Sequence, residues 1–398
     1  MQTPRSEPML FTGGAVFDGT ARLEGHGVLV EEGRIARVAP VAEFDGFAGA
    51  RRETAGCTLL PGLIDCHVHL VYGGEGNPRA VLAGLQPGQV TLKALENAQR
   101  TLRGGITAAR DCGGKDYLEL AVRDALNRGV FQGPTLRAVG RMICMTGGHG
   151  NHIGRIADGR DEVVKAVREQ IHAGCDQVKI MATGGVMTPG VNPEDAHYSA
   201  EEIAAGIAEG RRFHKRAASH AQGAEGILNA VRGGVASIEH GIFLDEEGLA
   251  GMLQRGTYLV ATLAAVHNIL ANADNGVPPY AVEKAGRVAE RHRKAVRDFY
   301  RAGGRLAMGT DAGTPYNLHG HNAQELELLV EVGVQPRDAL IAATSNAAEL
   351  LELPDQGRIA AGAAADLLLV DGDPLADITR VSRTEHHRAV FKGGVPVA

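Results

Sequence analysis

Short runs of apolar residues recur along the central part of the chain. Between most of them, apolar residues return every three or four positions, which is typical of amphipathic helices, whereas the short runs are typical of buried strands. We predict eight strands, at residues 57–60 together with 64–70, 106–110, 135–142, 177–181, 216–220, 236–240, 258–262 and 305–309. We predict helices between them at residues 91–103, 161–173, 200–215 and 279–302. Ser199 followed by Glu202 is a capping box that predicts the start of the third helix.

Eight strands alternating with helices favour an α/β fold of the (β/α)8 TIM barrel type. An open doubly wound sheet is disfavoured, because the glycine-rich residues 147–150 follow the third strand and lack the GxGxxG spacing. Both ends of the chain are instead rich in short strands broken by glycine. We therefore predict a small β-sandwich domain formed by both termini, residues 1–60 plus 354–398, and a barrel formed by residues 61–353.

Composition excludes several classes of protein. Of the 398 residues, 44% are apolar and 22% are charged, which is typical of a globular protein with a large core. The net charge of −6 and the absence of tryptophan argue against a nucleic-acid partner. The basic residues 291–294 are typical of the solvated face of a helix. Five cysteines without a CxxC pair, and no apolar stretch long enough for a signal or a membrane span, predict a cytoplasmic protein with no membrane partner.

Ionisable side chains stand at the ends of the predicted strands, where barrels collect reactive residues. They are His67, His69, Lys179, His220, His240 and, after the eighth strand, Asp311. The spacing of two between His67 and His69 places both imidazoles on one face of a strand, so that they can hold one cation. Taken singly, each histidine could instead belong to the core or surface. Together with a carboxylate, the set indicates a borderline cation such as Zn²⁺.

Lys179 lies within an apolar strand, where a buried ammonium is costly. The lysine either pairs with a nearby acid or reacts with CO₂ to become a carbamate that bridges two divalent metal ions. With the carbamate, Asp311 and a bridging hydroxide, two divalent cations keep a single positive charge, which suits an anionic tetrahedral intermediate. Asp311 either caps a turn or moves a proton from the attacking water to the leaving nitrogen.

Five motifs carry a resemblance to a known family. LPGLIDCHVHL, VKIMATGG, SHAQG, SIEHG and MGTDAG closely resemble the amidohydrolase superfamily, as do residues 357–362 and 365–367, so the resemblance covers nearly the whole chain. The most similar branch is the imidazolonepropionase-related group with Xaa-Pro dipeptidase-like and Xaa-Arg carboxypeptidase-like enzymes. It implies that His67 and His69 hold the first metal, that His220 and His240 hold the second, and that carboxylated Lys179 bridges them.

The same resemblance implies a binuclear amidohydrolase that cleaves the C–N bond of a dipeptide or N-acyl amino acid with a metal-bridging hydroxide. Imidazolonepropionase itself lacks the lysine, so Lys179 favours the amide-cleaving members. We expect a small-molecule substrate and a homo-oligomer. A histidine at the position of His149 contacts the scissile carbonyl in the resembling group, although His149 could also bond only to its own loop. Other expected substrate contacts are His152, Gly184, Gly185, Thr262, Tyr316, His319 and His321.

Two features keep other functions open. Thr262 stands where several peptidase-like relatives have a tyrosine that polarises the carbonyl, and no loop arginine stands out as a carboxylate clamp. A non-peptide amide, urea, carbamate or lactam is therefore an alternative substrate. A mononuclear deaminase or cyclic-imide hydrolase is a second alternative, and a non-catalytic structural relative is a third.

Overall fold

A computed structural model describes residues 7–398. The N-terminal part forms short strands: β1 (Met9–Thr12), β2 (Ala15–Phe17), β3 (Arg22–Leu23), β4 (His26–Glu31), β5 (Arg34–Pro40), β6 (Ala50–Glu53) and β7 (Cys57–Pro61). The apolar run of residues 10–17 is divided between β1 and β2, which join different sheets. Gly13, with φ +93°, makes the turn between them in a conformation that favours glycine.

The central part alternates strands with helices, as predicted. Its strands are β8 (Leu63–Val68), β9 (Ile106–Asp111), β10 (Thr135–Ala138), β11 (Ile143–Cys144), β12 (Arg155–Ile156), β13 (Val178–Met181), β14 (Ala217–Ala221), β15 (Ser237–His240), β16 (Tyr258–Val260) and β17 (Leu306–Ala307). They pair in parallel in the orders β10-β9-β8 and β12-β11-β13-β14-β15-β16-β17. Parallel pairing brings the carboxyl ends of these strands to one side of the molecule.

Helices cover the connections between these strands. They are α1 (Pro78–Ala83), α2 (Pro87–Arg103), α3 (Leu118–Asn127), α4 (Gly159–Ala173), α5 (Ala200–Arg212), α6 (Ala224–Gly233), α7 (Glu246–Arg255), α8 (Leu263–Ala271), α9 (Pro279–Arg301), α10 (Gln324–Glu331), α11 (Pro336–Ala342), α12 (Ser345–Leu350) and, nearer the C-terminus, α13 (Thr379–Ser382). The capping box of Ser199 and Glu202 opens α5, which confirms that prediction. No helix in residues 7–398 has the length and apolar character needed to cross a membrane.

Strands from the two ends of the chain share a sheet. The C-terminal strands are β18 (Leu367–Asp371), β19 (His387–Lys392) and β20 (Val395–Pro396). β18 pairs antiparallel with β7, so residues 57–60 do not continue into the first central strand as the sequence pattern indicated. Gly62 separates the two strands, and a Cβ there would lie 2.2 Å from the Thr107 side chain. The terminal sheets have the orders β5-β4-β1-β6 and β20-β19-β18-β7-β2-β3.

Backbone hydrogen bonds also connect the first and last central strands. The N–H of Cys66 donates to the carbonyl of Met308 at 2.8 Å, and the N–H of His69 donates to Ala312 at 2.9 Å. These bonds fix the end of β8 beside the segment that follows β17. The chain is therefore an α/β protein in which the first and last parallel strands lie next to each other.

Candidate metal centre

A cavity of about 1000 Å³ lies at the carboxyl ends of the central strands. Its wall includes all six strand-end side chains that the sequence singled out, namely His67, His69, Lys179, His220, His240 and Asp311. The imidazole rings of His67 and His240 are 5.2 Å apart between centroids, and those of His220 and His240 are 4.5 Å apart. The fold therefore brings ligand-type side chains from five distant segments into one place. We call these six side chains the cavity floor.

Asp311 faces the histidine pair of the first central strand. Its Oδ1 atom lies 3.5 Å from Nε2 of His67 and 3.3 Å from Nε2 of His69. The same oxygen is buried and has no hydrogen-bond partner among the described residues. A buried carboxylate oxygen without a partner is costly unless a cation or proton occupies the space before it. The three side chains therefore fit one metal ion.

Burial keeps three of the four floor histidines neutral, whereas at His69 the neighbouring Asp311 carboxylate outweighs burial and raises the pKa above the ordinary histidine value. Burial first, and then the charges of Lys179 and of neighbouring histidines, hold the pKa of His67, His220 and His240 well below the ordinary histidine value. A neutral imidazole offers a nitrogen lone pair, which is the form that binds metal ions.

Each floor histidine also bonds to the protein through one ring nitrogen, and this decides which nitrogen keeps the lone pair. Nδ1 of His67 is 2.7 Å from the Glu239 carboxylate, and Nδ1 of His69 is 2.8 Å from the carbonyl of Gly113. Both partners can only accept, so Nδ1–H donates in each case and Nε2 keeps its lone pair. Nε2 is the nitrogen that faces Asp311 in both residues.

The second histidine pair is held by a carbonyl and a hydroxyl. Nε2–H of His220 donates to the carbonyl of Gly184 at 2.8 Å, which leaves the lone pair on Nδ1. The Thr262 hydroxyl donates its one proton to the carbonyl of Ala261, so it must accept from Nδ1–H of His240, which lies 2.6 Å away. Nε2 of His240 therefore keeps its lone pair. In the neutral form, each of the four imidazoles fits the role of metal ligand, with the outer bond that such ligands usually make.

A buried ion pair stands behind His67. Glu239, fully buried, accepts from the Arg110 guanidinium at 2.8 Å through the oxygen that does not face His67. Glu239 and His240 are consecutive, and consecutive strand residues normally face opposite sides of a sheet. His240 has φ +75°, which departs from the strand conformation and turns its imidazole into the cavity. Sequence analysis missed Arg110 and Glu239, although their charges inside apolar strands were a signal.

Lys179 is 1% exposed and lies on the cavity wall. In the part of the chain that the structure describes, no carboxylate forms an ion pair with its ammonium. The alternative of a lysine paired with an acid therefore finds no partner in residues 7–398.

His149 lies against the second histidine pair. Its ring centroid is 4.5 Å from that of His220, and its Nδ1 is 2.8 Å from the Thr188 hydroxyl. A Cβ at Gly185 would lie 2.6 Å from Nε2 of His149, and a Cβ at Gly184 would lie 2.0 Å from the carbonyl oxygen of Asn192. The two glycines therefore allow the loop after β13 to pack closely around His149.

The structure does not bring all expected substrate contacts to the cavity wall. His152 lies on the wall and is exposed at the mouth of the cavity. Thr262 lies behind His240, is fully buried and is not among the residues that line the cavity. His319 donates to the carbonyl of Tyr72 at 3.0 Å and supports the backbone next to the first pair. Tyr316 and His321 are not among the residues that line the cavity. The Tyr316 hydroxyl donates to the carbonyl of Asn275, and the His321 side chain is exposed.

Other side chains on the wall were not expected from the sequence. His292 is 1% exposed and lines the cavity, so the prediction of a solvated face for residues 291–294 is wrong at this position. The signal was helical spacing, because His292 continues the buried positions Ala285 and Val288 of α9. Arg79, from α1, also lines the cavity, and it lies outside the loops in which the sequence analysis looked for an arginine.

One side of the cavity is apolar. Val186, Ile242, Val266, Ile269 and Tyr280 pack together in one cluster and all face the cavity; we call them the apolar wall. They come from the loop after β13, the end of β15, and helices α8 and α9. This surface would favour an apolar group of a bound molecule.

Comparison with known proteins agrees with this arrangement. A model of the amidohydrolase family matches residues 58–397. Ochratoxinase from Aspergillus niger is 31% identical over 367 residues, covering 84% of this chain and 75% of the relative. Imidazolonepropionase from Ectopseudomonas mendocina is 28% identical and is matched over the full length of both chains. A solved Xaa-Pro dipeptidase with methionine bound in its active site is 30% identical, with 98% of this chain and 99% of that chain covered and a TM-score of 0.89.

The family match spans most of the chain, and members of this family typically bind divalent metal ions, for which the floor offers suitable ligands. The chain belongs to the amidohydrolase family, in the branch related to imidazolonepropionase, and is a hydrolase that acts on carbon–nitrogen bonds.

Proposed function

We propose that this protein is a binuclear metal-dependent amidohydrolase that cleaves the amide bond of a dipeptide or an N-acyl amino acid. One observation carries the proposal. Four histidines, each tied to the protein through one ring nitrogen, share the cavity with Lys179, which has no ion-pair partner in residues 7–398, and with an Asp311 oxygen that has no hydrogen-bond partner among the same residues. Relatives named as a dipeptidase and as ochratoxinase support the amide-cleaving assignment.

We assign one metal to His67 and His69 and the other to His220 and His240, with the Lys179 carbamate between them. Neutral imidazoles and carboxylates are the ligands that Zn²⁺ takes in catalytic sites. When bound, the two cations would make a water molecule more acidic and polarise the scissile carbonyl.

Asp311 serves as the proton carrier. Its carboxylate accepts a proton from the attacking water and then donates it to the leaving nitrogen. The acyl carbon gains the hydroxyl group, the C–N bond breaks, and the nitrogen leaves as an amine, so one water is consumed for each bond cleaved. We assign His149 to the carbonyl oxygen, in the tautomer in which Nδ1 accepts from the Thr188 hydroxyl and Nε2–H is available to the substrate.

The proposal includes the architecture that holds these residues. We infer that the central strands close into a (β/α)8 barrel, residues 61–353, and that residues 1–60 and 354–398 form a small β-sandwich domain. The backbone hydrogen bond from the N–H of Cys66 to the carbonyl of Met308 supports closure of the barrel. The pairing of β7 with β18 supports a terminal domain shared by both ends of the chain.

Metal analysis combined with a hydrolysis screen tests the proposal. Protein loaded with Zn²⁺ should contain two metal ions per chain and release amines from N-acyl amino acids or dipeptides. The screen includes ureas, carbamates and lactams, so that a different C–N substrate is detected in the same experiment. One metal per chain, together with an unmodified Lys179 by ¹³CO₂ labelling, would contradict the binuclear site.

A further inference from the structure

Arg79 stands on the cavity wall without an acidic partner. It occupies the second position of α1, in the connection after β8, and its side chain is exposed at the mouth of the cavity. Among residues 7–398, no carboxylate forms an ion pair with its guanidinium. Elsewhere, surface arginines commonly have such a partner, as Arg155 has in Glu169. An unpaired guanidinium at the mouth of a cavity can bind a planar anion with two parallel hydrogen bonds.

Two further polar side chains stand beside Arg79. The hydroxyl of Tyr72 is hydrogen-bonded to Nε2 of His152, and both residues line the cavity. Burial is the larger influence on the pKa of each, raising that of Tyr72 and lowering that of His152, and the charge of Arg79 follows it as the next influence on both. The guanidinium and this pair line the same cavity. We call Arg79, Tyr72 and His152 the cavity rim.

The rim lies on the side of the floor where Asp311 stands. The rings of His69 and Tyr72 are 5.9 Å apart between centroids, and Asp311 is the partner that faces His69. His149, in contrast, lies against His220 on the side of the second histidine pair. The proton donor for the leaving nitrogen is thus near the rim, and the group assigned to the carbonyl oxygen is farther along the floor.

We propose that Arg79, supported by Tyr72 and His152, binds the α-carboxylate of the amino acid that leaves, and that the apolar wall holds the acyl group. The inference rests on the proposed amide hydrolysis and specifies its substrate class as N-acyl amino acids with a free carboxylate. Asp311 then meets the nitrogen of the same amino acid that Arg79 anchors. Tyr72 and His152 complete the polar side of the site, where the exposed mouth admits the charged end of the substrate.

A pair of compounds that differ only in the carboxylate tests the inference. N-Benzoyl-L-phenylalanine carries the group, and N-benzoylphenethylamine lacks it. Both are assayed with the Zn²⁺-loaded wild type, Arg79→Met, Arg79→Lys and Arg160→Met. Arg160 is a matched control because it occupies the same second position in α4, is exposed and lies outside the cavity wall.

Arg79→Met should lower kcat/KM for the carboxylate compound by about 10- to 100-fold, mainly through KM, as expected for loss of a charged hydrogen bond. Turnover of the compound without the carboxylate should stay within about threefold, and Arg160→Met should change neither. Arg79→Lys should recover part of the loss, since it keeps the charge but not the bidentate geometry. Equal effects of Arg79→Met on both compounds, or none, would overturn the role of Arg79.

Calorimetric binding separates this inference from the proposed function. If the wild type hydrolyses no amide, the proposed function fails, and the role of Arg79 is decided by binding alone. The wild type should bind N-benzoyl-L-phenylalanine more tightly than N-benzoylphenethylamine, and Arg79→Met should abolish this difference in affinity. Equal affinity of the wild type for both compounds would reject the carboxylate site.

Discussion

The floor and the rim of the cavity are built in different ways. Floor side chains stand on or just after the parallel strands, and the four histidines among them are hydrogen-bonded to the protein, as His67 is to Glu239. The rim residues Arg79 and His152 come from connections between strands and are exposed. A buried group depends strongly on its partner, whereas an exposed charge is screened by water. In the proposed function, the floor carries out the reaction and the rim selects the substrate.

Removal of the lysine amine should give the largest effect. Lys179→Ala is expected to lose most bound metal and most activity while the protein stays folded, because no other described anion stands in its place between the histidine pairs. Metal content and turnover measure the loss, and circular dichroism checks the fold. Acetate or propionate should restore part of the activity by replacing the carbamate. Wild-type metal content and activity in Lys179→Ala would contradict the bridge.

Asp311→Asn should come next. The amide cannot carry the proton from water to nitrogen, so turnover should fall by about 100-fold or more. Stopped-flow or steady-state assays at matched metal content measure the change. The control is Asp298→Asn, an exposed carboxylate near the end of α9 paired with Lys294, which should leave turnover unchanged. Near-normal turnover of Asp311→Asn would make Asp311 a turn cap instead.

Glu239→Gln tests the buried partner of the floor. It should lower the free energy of unfolding by about 3 kcal/mol, because Arg110 would remain buried without its counter-charge. Metal affinity should also fall by about 10- to 100-fold, since His67 loses the carboxylate that orients it. Urea unfolding and chelator competition measure the two effects. Glu247→Gln, in an exposed pair with Arg232, is the control and should change neither quantity.

Thr262→Val, which changes the hydrogen-bond partner of His240, should have the smallest effect of these four substitutions. Valine keeps the shape but cannot accept from Nδ1–H of His240, so metal affinity should fall by about tenfold. Thr262→Ser retains the hydroxyl and should behave like the wild type. Chelator competition with both variants separates the hydroxyl from the shape of the side chain. If Thr262→Ser weakens metal binding as much as Thr262→Val, the hydrogen bond is not the cause.

Much of the fold was predictable from local patterns, with errors at defined places. All eight central segments contain a strand, but the third ends at Ala138 instead of residue 142, and Gly140 with φ +72° follows it. Residues 57–60 joined the terminal sheet because their hydrogen-bond partners, in β18, lie about 300 residues away. Such pairing depends on contacts that no local window contains.

The floor was predicted, whereas of the rim only His152 was expected near the substrate. His67 and His69 are identified by their spacing of two on a strand, and His220, His240 and Asp311 by their positions at strand ends. Thr262 was expected to contact substrate, yet it supports His240 from behind. Arg79 and His292 were missed because their direction depends on how a short helix and a long helix pack over the cavity.

The order of strands and helices, and the ligand-type residues near strand ends, can be read from local patterns, because periodicity is set within a few residues. Local patterns do not show which nitrogen of each histidine stays free, which charges are paired inside the protein, or which arginine reaches the cavity. Each of these depends on hydrogen-bond partners or packing surfaces contributed by segments far apart in the chain. Those partners become neighbours only once the strands have been brought together.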